Sequence, residues 1–313
     1  MKPNFGNITY NIEVMETAQI ITARRLYPWC KIPYDELLHH PDRKIPFRLV
    51  KDSKEMGELM ARELADLIKS NNSRGQLTRA IIPCGPACWY EPFTALINLE
   101  KISLKALTVF HMDECLDWQG RELPRNHPYS FRGFMEKKFY GPIKRELNVR
   151  DENRVWISPD TMQTVAAKLD EGSIDITLGG WGQDGHIAYN QTRRSPFSNV
   201  ALEDMKDSTI RIQENNVDTI LALSQRTFGG AYQFVPPMSI TLGLKECLSA
   251  KKVRLFSDTG SWKQTALRVA LFGPLTPEYP ITLCQIHSDA MLTATISTAS
   301  HPVSENPDWD LGL

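Results

Sequence analysis

The sequence predicts an α/β fold of three layers, a mostly parallel sheet covered by helices on both faces. Short apolar, β-branched runs recur along the chain, among them TRAIIP (78–83), LKALTVFHM (104–112) and SIDITLGG (173–180). They lack in–out alternation, as expected of strands buried on both sides. Between them lie segments whose apolar residues follow helical spacing, the alternation that builds βαβ units.

The 313 residues are 42% hydrophobic and 23% charged, enough for one large domain with a sizeable core. Residues 1–45, punctuated by Pro3, Pro28, Pro33 and Pro41, read as an N-terminal extension packed on a single α/β domain spanning 46–313. The first strong helix is expected over 52–69. Asp52 and Glu55 make a capping pair there, and Met56, Leu59, Met60, Leu64, Leu67 and Ile68 line one face. A turn at 71–76 leads into the strand at 78–83. WYEPFTALINLE (89–100) follows as a helix, and then the strand at 104–112. Ser130 can cap a helix running to about Tyr140; 161–169 is helical and 173–180 a strand. Further strands are expected at TILAL (219–223), SITLG (239–243), KVRLF (252–256) and AMLTATIS (290–297), with a helix at 261–271.

Lys and Arg number 36 against 37 Asp and Glu, a formal net charge of −1. No global field would hold a polyanion, so neither nucleic acid nor an anionic membrane is an expected partner. No stretch approaches the roughly 18 apolar residues of a membrane span, and the first residues hold no apolar signal core. With six scattered cysteines, the chain reads as a cytoplasmic protein with reduced thiols. Cys84 and Cys88 form a C-x₃-C, but no second Cys/His pair at zinc spacing joins them, and no metal is expected.

In parallel sheets, ligands gather at the carboxyl ends of the strands. The loop GGWGQDGHIAYNQ (179–191) follows one such strand and holds G-x-G-x-x-G at Gly180, Gly182 and Gly185. A dinucleotide-binding turn would open a helix here, and Asn190, Ser195 and Pro196 oppose one; Glu203 and Asp204 sit in what reads as a loop. Asp184 and His186 suit the loop better, as a carboxylate that orients an imidazole and stabilises its protonated form. An isolated D-G-H also serves as a simple turn cap. A second loop begins at Asp113–Glu114, where a buried carboxylate is placed to abstract a proton beside a carbonyl. His127–Pro128 then holds this loop. The third, CGPACWY (84–90), is a poor phosphate seat, because Pro86 has no N–H and no hydroxyl lies beside it. Lys263, in the first turn of a helix, with Arg226 and Arg211, supplies cations for an anion.

Taken in order, IIPCGPACWY, VFHMDE, NHPYSF, DITLGGWGQDGHIAYNQ and GSWKQTAL resemble the glucosamine-6-phosphate deaminase/isomerase family, from about residue 46 to about 297. The resemblance implies a Rossmann-like fold, no cofactor, and action on a phosphorylated amino sugar, with conversion of a hexosamine 6-phosphate to fructose 6-phosphate and ammonia. It makes His186 the ring-opening group, Asp184 its orienting carboxylate and Asp113 the base that moves a proton from C2 to C1. Gly85, Arg226 and Lys263 would meet the phosphate. Glu114, Gln191 and Arg211 complete the expected substrate-binding set. The family often forms oligomers, so a homo-oligomer is among the implied states. Two positions depart from the pattern: Gln191 stands where the family has a glutamate, and Cys84-Gly85-Pro86-Ala87 where it has a hydroxyl-bearing glycine loop. A neutral Gln191 can hydrogen-bond but cannot exchange a proton near neutrality. Two alternatives follow. One is a sugar-phosphate-binding or regulatory protein altered in catalysis; the other is a hydrolase like the 6-phosphogluconolactonases, which share the fold.

Overall fold

Successive residues of the central strands point into two different cores, which is why their sequences are apolar without a break. The computed structural model describes residues 20–192 and 200–313. Its strands are β1 (Phe47–Val50), β2 (Thr78–Ile82), β3 (Leu107–His111), β4 (Asp113–Leu116), β5 (Arg154–Val155), β6 (Ile176–Gly179), β7 (Arg211–Glu214), β8 (Met238–Thr241), β9 (Lys252–Ser257) and β10 (Ala290–Thr295). Seven of them form a sheet in the order β1-β10-β9-β6-β2-β3-β5, with every neighbouring pair parallel. On β2, Ala80 and Ile82 join a core shared with Met56, Met60 and Leu64, while Ile81 joins the opposite core with Leu267 and Leu271. The expected α/β class holds.

The helices that cover the sheet start and stop on local chemistry. The helix Ser53–Ser73 begins where Asp52 accepts the N–H groups of Lys54 and Glu55, each at 3.0 Å. It runs four residues past the expected end, through part of the expected turn, where Asn71 still faces the interior and donates to Thr78 Oγ1 at 3.0 Å. Ser130 caps Phe131–Met135 through the Gly133 N–H, and a π-helical turn then carries the chain to Tyr140. The helix Ala23–Cys30 lies against Gln264–Phe272, and the intervening chain is tied down by Lys44 N–H to Leu271 O at 2.8 Å.

Two expectations are corrected. TILAL (219–223) is not a strand; it lies inside the helix Val217–Phe228, which stops at Gly229 in a left-handed conformation (φ +60°). A five-residue apolar run cannot by itself distinguish strand from buried helix face. The sequence reading also lacked a second sheet: β4, β8 and β7 form an antiparallel, three-stranded unit beside the first. Its strands are short, and β7 (RIQE) has one apolar residue. Glu203 and Asp204 fall in a short helix, Leu202–Lys206, whereas Ser195 and Pro196 lie outside the described residues. No helix among the described residues is long and apolar enough to cross a membrane.

Candidate active site

The direction of winding reverses between β2 and β6. From β2 the chain moves to β3 on one side; from β6 it moves, by way of the small sheet, to β9 on the other. Such a switch point opens a crevice at the carboxyl ends of the strands. Here it is a cleft of about 540 Å³ with Gly85, Asp113, His186, Arg226 and Lys263 on its walls, together with Tyr129, Phe131 and Tyr189. A larger groove, about 710 Å³, lies at the opposite ends of the strands, where Lys251 pairs with Asp175 at 2.7 Å and Arg74 bonds Asn71, Ser70 and Gln76.

The glycines of 179–191 serve the histidine. A Cβ on Gly182 would fall 2.1 Å from Cε1 of His186, and Gly185 sits at φ +73° to turn the chain back toward the cleft. Residues 183–192 form turns, and no helix opens behind the glycines, so nothing here presents the helix N-terminus that a pyrophosphate needs. Asp184, 2% exposed, stands behind the imidazole with Oδ1 2.6 Å from His186 Nδ1. Burial pushes the Asp184 carboxyl up, but the His186 ring and hydrogen bonds from His186 and Asn216 outweigh it and hold the group at about 2. The carboxylate thus keeps the ring proton on Nδ1, leaving Nε2 as the exchanging nitrogen.

Asp113 sits at the seam of the two sheets. The Met112 N–H donates to Ile82 O and its carbonyl accepts from Leu242, after which Asp113 starts β4 opposite Thr241. Burial, and then the Glu114 charge, raise the Asp113 carboxyl to about 8. Lys263 falls to about 8 through burial and the nearby Arg226, against opposing effects of Asp258 and Asp184. Arg226 projects from the last turn of Val217–Phe228. The Tyr129 hydroxyl bridges that turn, donating to Leu223 O at 3.0 Å and sharing a 2.6 Å hydrogen bond with Thr227 Oγ1.

Three residues of the expected substrate-binding set do not line the cleft. Glu114, 4% exposed, accepts the backbone N–H groups of Cys115, Phe131 and Arg132 at 3.0, 2.8 and 2.8 Å, so it anchors the Phe131–Met135 helix. Burial raises its carboxyl to about 7 against those bonds. Arg211 spends its guanidinium on Asn190 Oδ1 (2.8 Å) and Thr209 O (3.3 Å). Gln191, 7% exposed, lies behind His186. Conversely, Tyr129, Asn216 and Thr219 were not singled out in the sequence, because they reach the site across 25 to 98 residues of chain. No group of three or more metal-ligating side chains occurs among the described residues.

The same arrangement of strands and loops occurs in known proteins. No protein-family model matches the chain. The glucosamine-6-phosphate deaminase of Shewanella halifaxensis is 32% identical over 224 residues, covering 69% of this chain and 76% of its own. That of Serratia proteamaculans is 29% identical over 249 residues, 78% of this chain and 87% of its own. Among solved structures, a monomeric glucosamine-6-phosphate deaminase superposes with a TM-score of 0.67 at 22% identity, covering 82% of this chain and 99% of its own. The 6-phosphogluconolactonase of Trypanosoma cruzi gives a TM-score of 0.57 at 16% identity, with coverages of 83% and 98%.

Proposed function

This chain belongs to the glucosamine-6-phosphate deaminase family, and on that premise we propose that it isomerises and deaminates a glucosamine-type hexosamine 6-phosphate to fructose 6-phosphate and ammonia. One arrangement supports this above all: Asp113, the Asp184-backed His186 and the Lys263–Arg226 pair meet at a single cleft. Lys263 and Arg226 bind the phosphoryl group, assisted at the wall by Gly85. His186 Nε2 takes the proton from the C1 hydroxyl of the pyranose and returns it to the ring oxygen, opening the ring. Asp113 then removes the C2 proton and delivers it to C1; water adds to the resulting C2 imine and ammonia leaves. A carboxyl group held near 8 has a proton affinity suited to taking and returning a carbon-bound proton near neutral pH.

The test is incubation with glucosamine 6-phosphate, following ammonia and fructose 6-phosphate together, with Asp113→Asn as control. Equal release of both, abolished in the control, is expected. A protein that binds the sugar phosphate yet neither turns it over nor washes solvent deuterium into C2 would refute the reading and favour a binding role.

A further inference from the structure

Gln191 replaces a charged residue of the family pattern, and its surroundings fix how its carboxamide points. Oε1 accepts the Asn216 backbone N–H at 2.9 Å, and a backbone donor cannot become an acceptor. The NH₂ end therefore faces Thr219 Oγ1 at 2.5 Å and lies 2.9 Å from His186 Nδ1. Nδ1 has one in-plane position, which Asp184 occupies at 2.6 Å, so the amide hydrogen goes to Thr219. Thr219 also receives Gln183 Nε2 at 3.2 Å. Asn216 in turn sends its side-chain amide to Asp184 Oδ2 at 3.3 Å and to Thr192 O at 2.9 Å. Asn216 and Thr219 stand at the amino end of Val217–Phe228, and the far end of that helix carries Leu223 and Arg226 to the cleft.

We propose that Gln191 is a positioning residue, a neutral clamp that joins the His186 loop to the Val217–Phe228 helix and thereby sets where Arg226 meets the phosphoryl group. This rests on reading the cleft as a phosphoryl-binding site. The clamp moves no proton. It works because one carboxamide offers an acceptor to Asn216 and a donor to Thr219 at the same time, both at the base of the helix. Glutamate could keep the bond to Asn216 and take the Thr219 hydroxyl proton in place of giving one. The tether would then survive the change of charge, whereas alanine removes both bonds.

Inorganic phosphate is the probe, titrated into wild type, Gln191→Ala, Gln191→Glu, Arg226→Ala and the Gln191→Ala/Arg226→Ala double variant, with hydrogen exchange of the 217–228 amides recorded in parallel. Gln191→Ala should bind phosphate about tenfold more weakly, the scale of a lost hydrogen-bonded tether. Its helix amides should exchange faster, and Gln191→Glu should restore both properties. Adding Gln191→Ala to Arg226→Ala should cost nothing further, since the effect travels through Arg226. Equal losses with and without Arg226, or unchanged helix exchange in Gln191→Ala, would overturn the clamp. Should Gln191→Ala not fold, Thr219→Val removes the same acceptor and takes its place. Absence of phosphate binding in the wild type would sink the phosphoryl reading of the cleft, and helix exchange would still decide the clamp.

Discussion

Asp113 and Glu114 are consecutive residues on β4, and their carboxylates face opposite ways: Asp113 lines the cleft, whereas Glu114 turns inward to hold three backbone N–H groups. Strand geometry imposes that division, since neighbouring side chains point to opposite faces. Burial comes first and the neighbouring Glu114 charge second in raising the Asp113 carboxyl to about 8.

The activity should therefore peak sharply in pH. In the proposed mechanism Asp113 acts as a base only when ionised, so kcat/KM should rise as pH climbs through about 8. In the same mechanism Lys263 holds phosphate only when protonated, and it loses its charge over the same range. The two limbs overlap, which predicts a narrow bell centred near pH 8. A profile with a single limb through this range would show that one of these groups is not essential.

Glu114→Gln should move one limb of that bell. Removing the neighbouring negative charge lowers the Asp113 pKa, so the ascending limb shifts to lower pH while the descending limb stays. The substitution also sets an amide NH₂ against backbone donors, at a cost of about 1–3 kcal/mol in stability. Denaturant unfolding and the pH profile measure the two effects separately. A pH profile identical to wild type would mean that Glu114 does not act on Asp113.

How much of this the sequence disclosed depends on where each signal lies. Strands β2, β3, β6 and β9 were legible because burial on both faces demands unbroken apolar runs. Asp184 and His186 were legible because two residues in one turn carry their relationship locally. The small sheet was not, since Asp113–Leu116 follows β3 after a single residue and Arg211–Glu214 is mostly polar. Reading 219–223 as a strand hid Thr219, whose hydroxyl faces Gln191 only because the segment is helical. Glu114 illustrates a different failure. Beside Asp113 it looks like a site acid, and only the tertiary placement of Phe131 and Arg132 makes it a helix anchor.

Tyr129→Phe tests the other end of the Arg226 helix. The phenol hydroxyl is held by Leu223 O and Thr227 Oγ1, and the ring packs edge-on against Phe228 at 5.7 Å. Phenylalanine keeps the ring and loses the tie. The affinity for substrate should fall by roughly 2- to 10-fold, the value of one or two net hydrogen bonds, with kcat affected less. An equal fall in kcat at constant KM would place Tyr129 in the chemistry and not in positioning Arg226.

Asp184→Asn removes the charge behind the imidazole while keeping its shape. In the wild type the carboxyl is held at about 2, below its ordinary 3.8, so its stabilising contribution is present at neutral pH and lost progressively as pH falls from 3.8 through about 2. Asparagine can offer its oxygen or its NH₂ to Nδ1. The oxygen preserves the bond without favouring the imidazolium; the NH₂ forces the proton to Nε2, where it blocks the nitrogen facing the cleft. Either way, ring opening slows, and kcat should drop by on the order of 10²-fold, the lower range for loss of general acid–base catalysis. Supplying the open-chain aldehyde form directly, for example with a substrate analogue unable to cyclise, should recover most of the lost rate. A loss of the same size on that analogue would place Asp184 in the proton transfer at C2 and leave ring opening to another group.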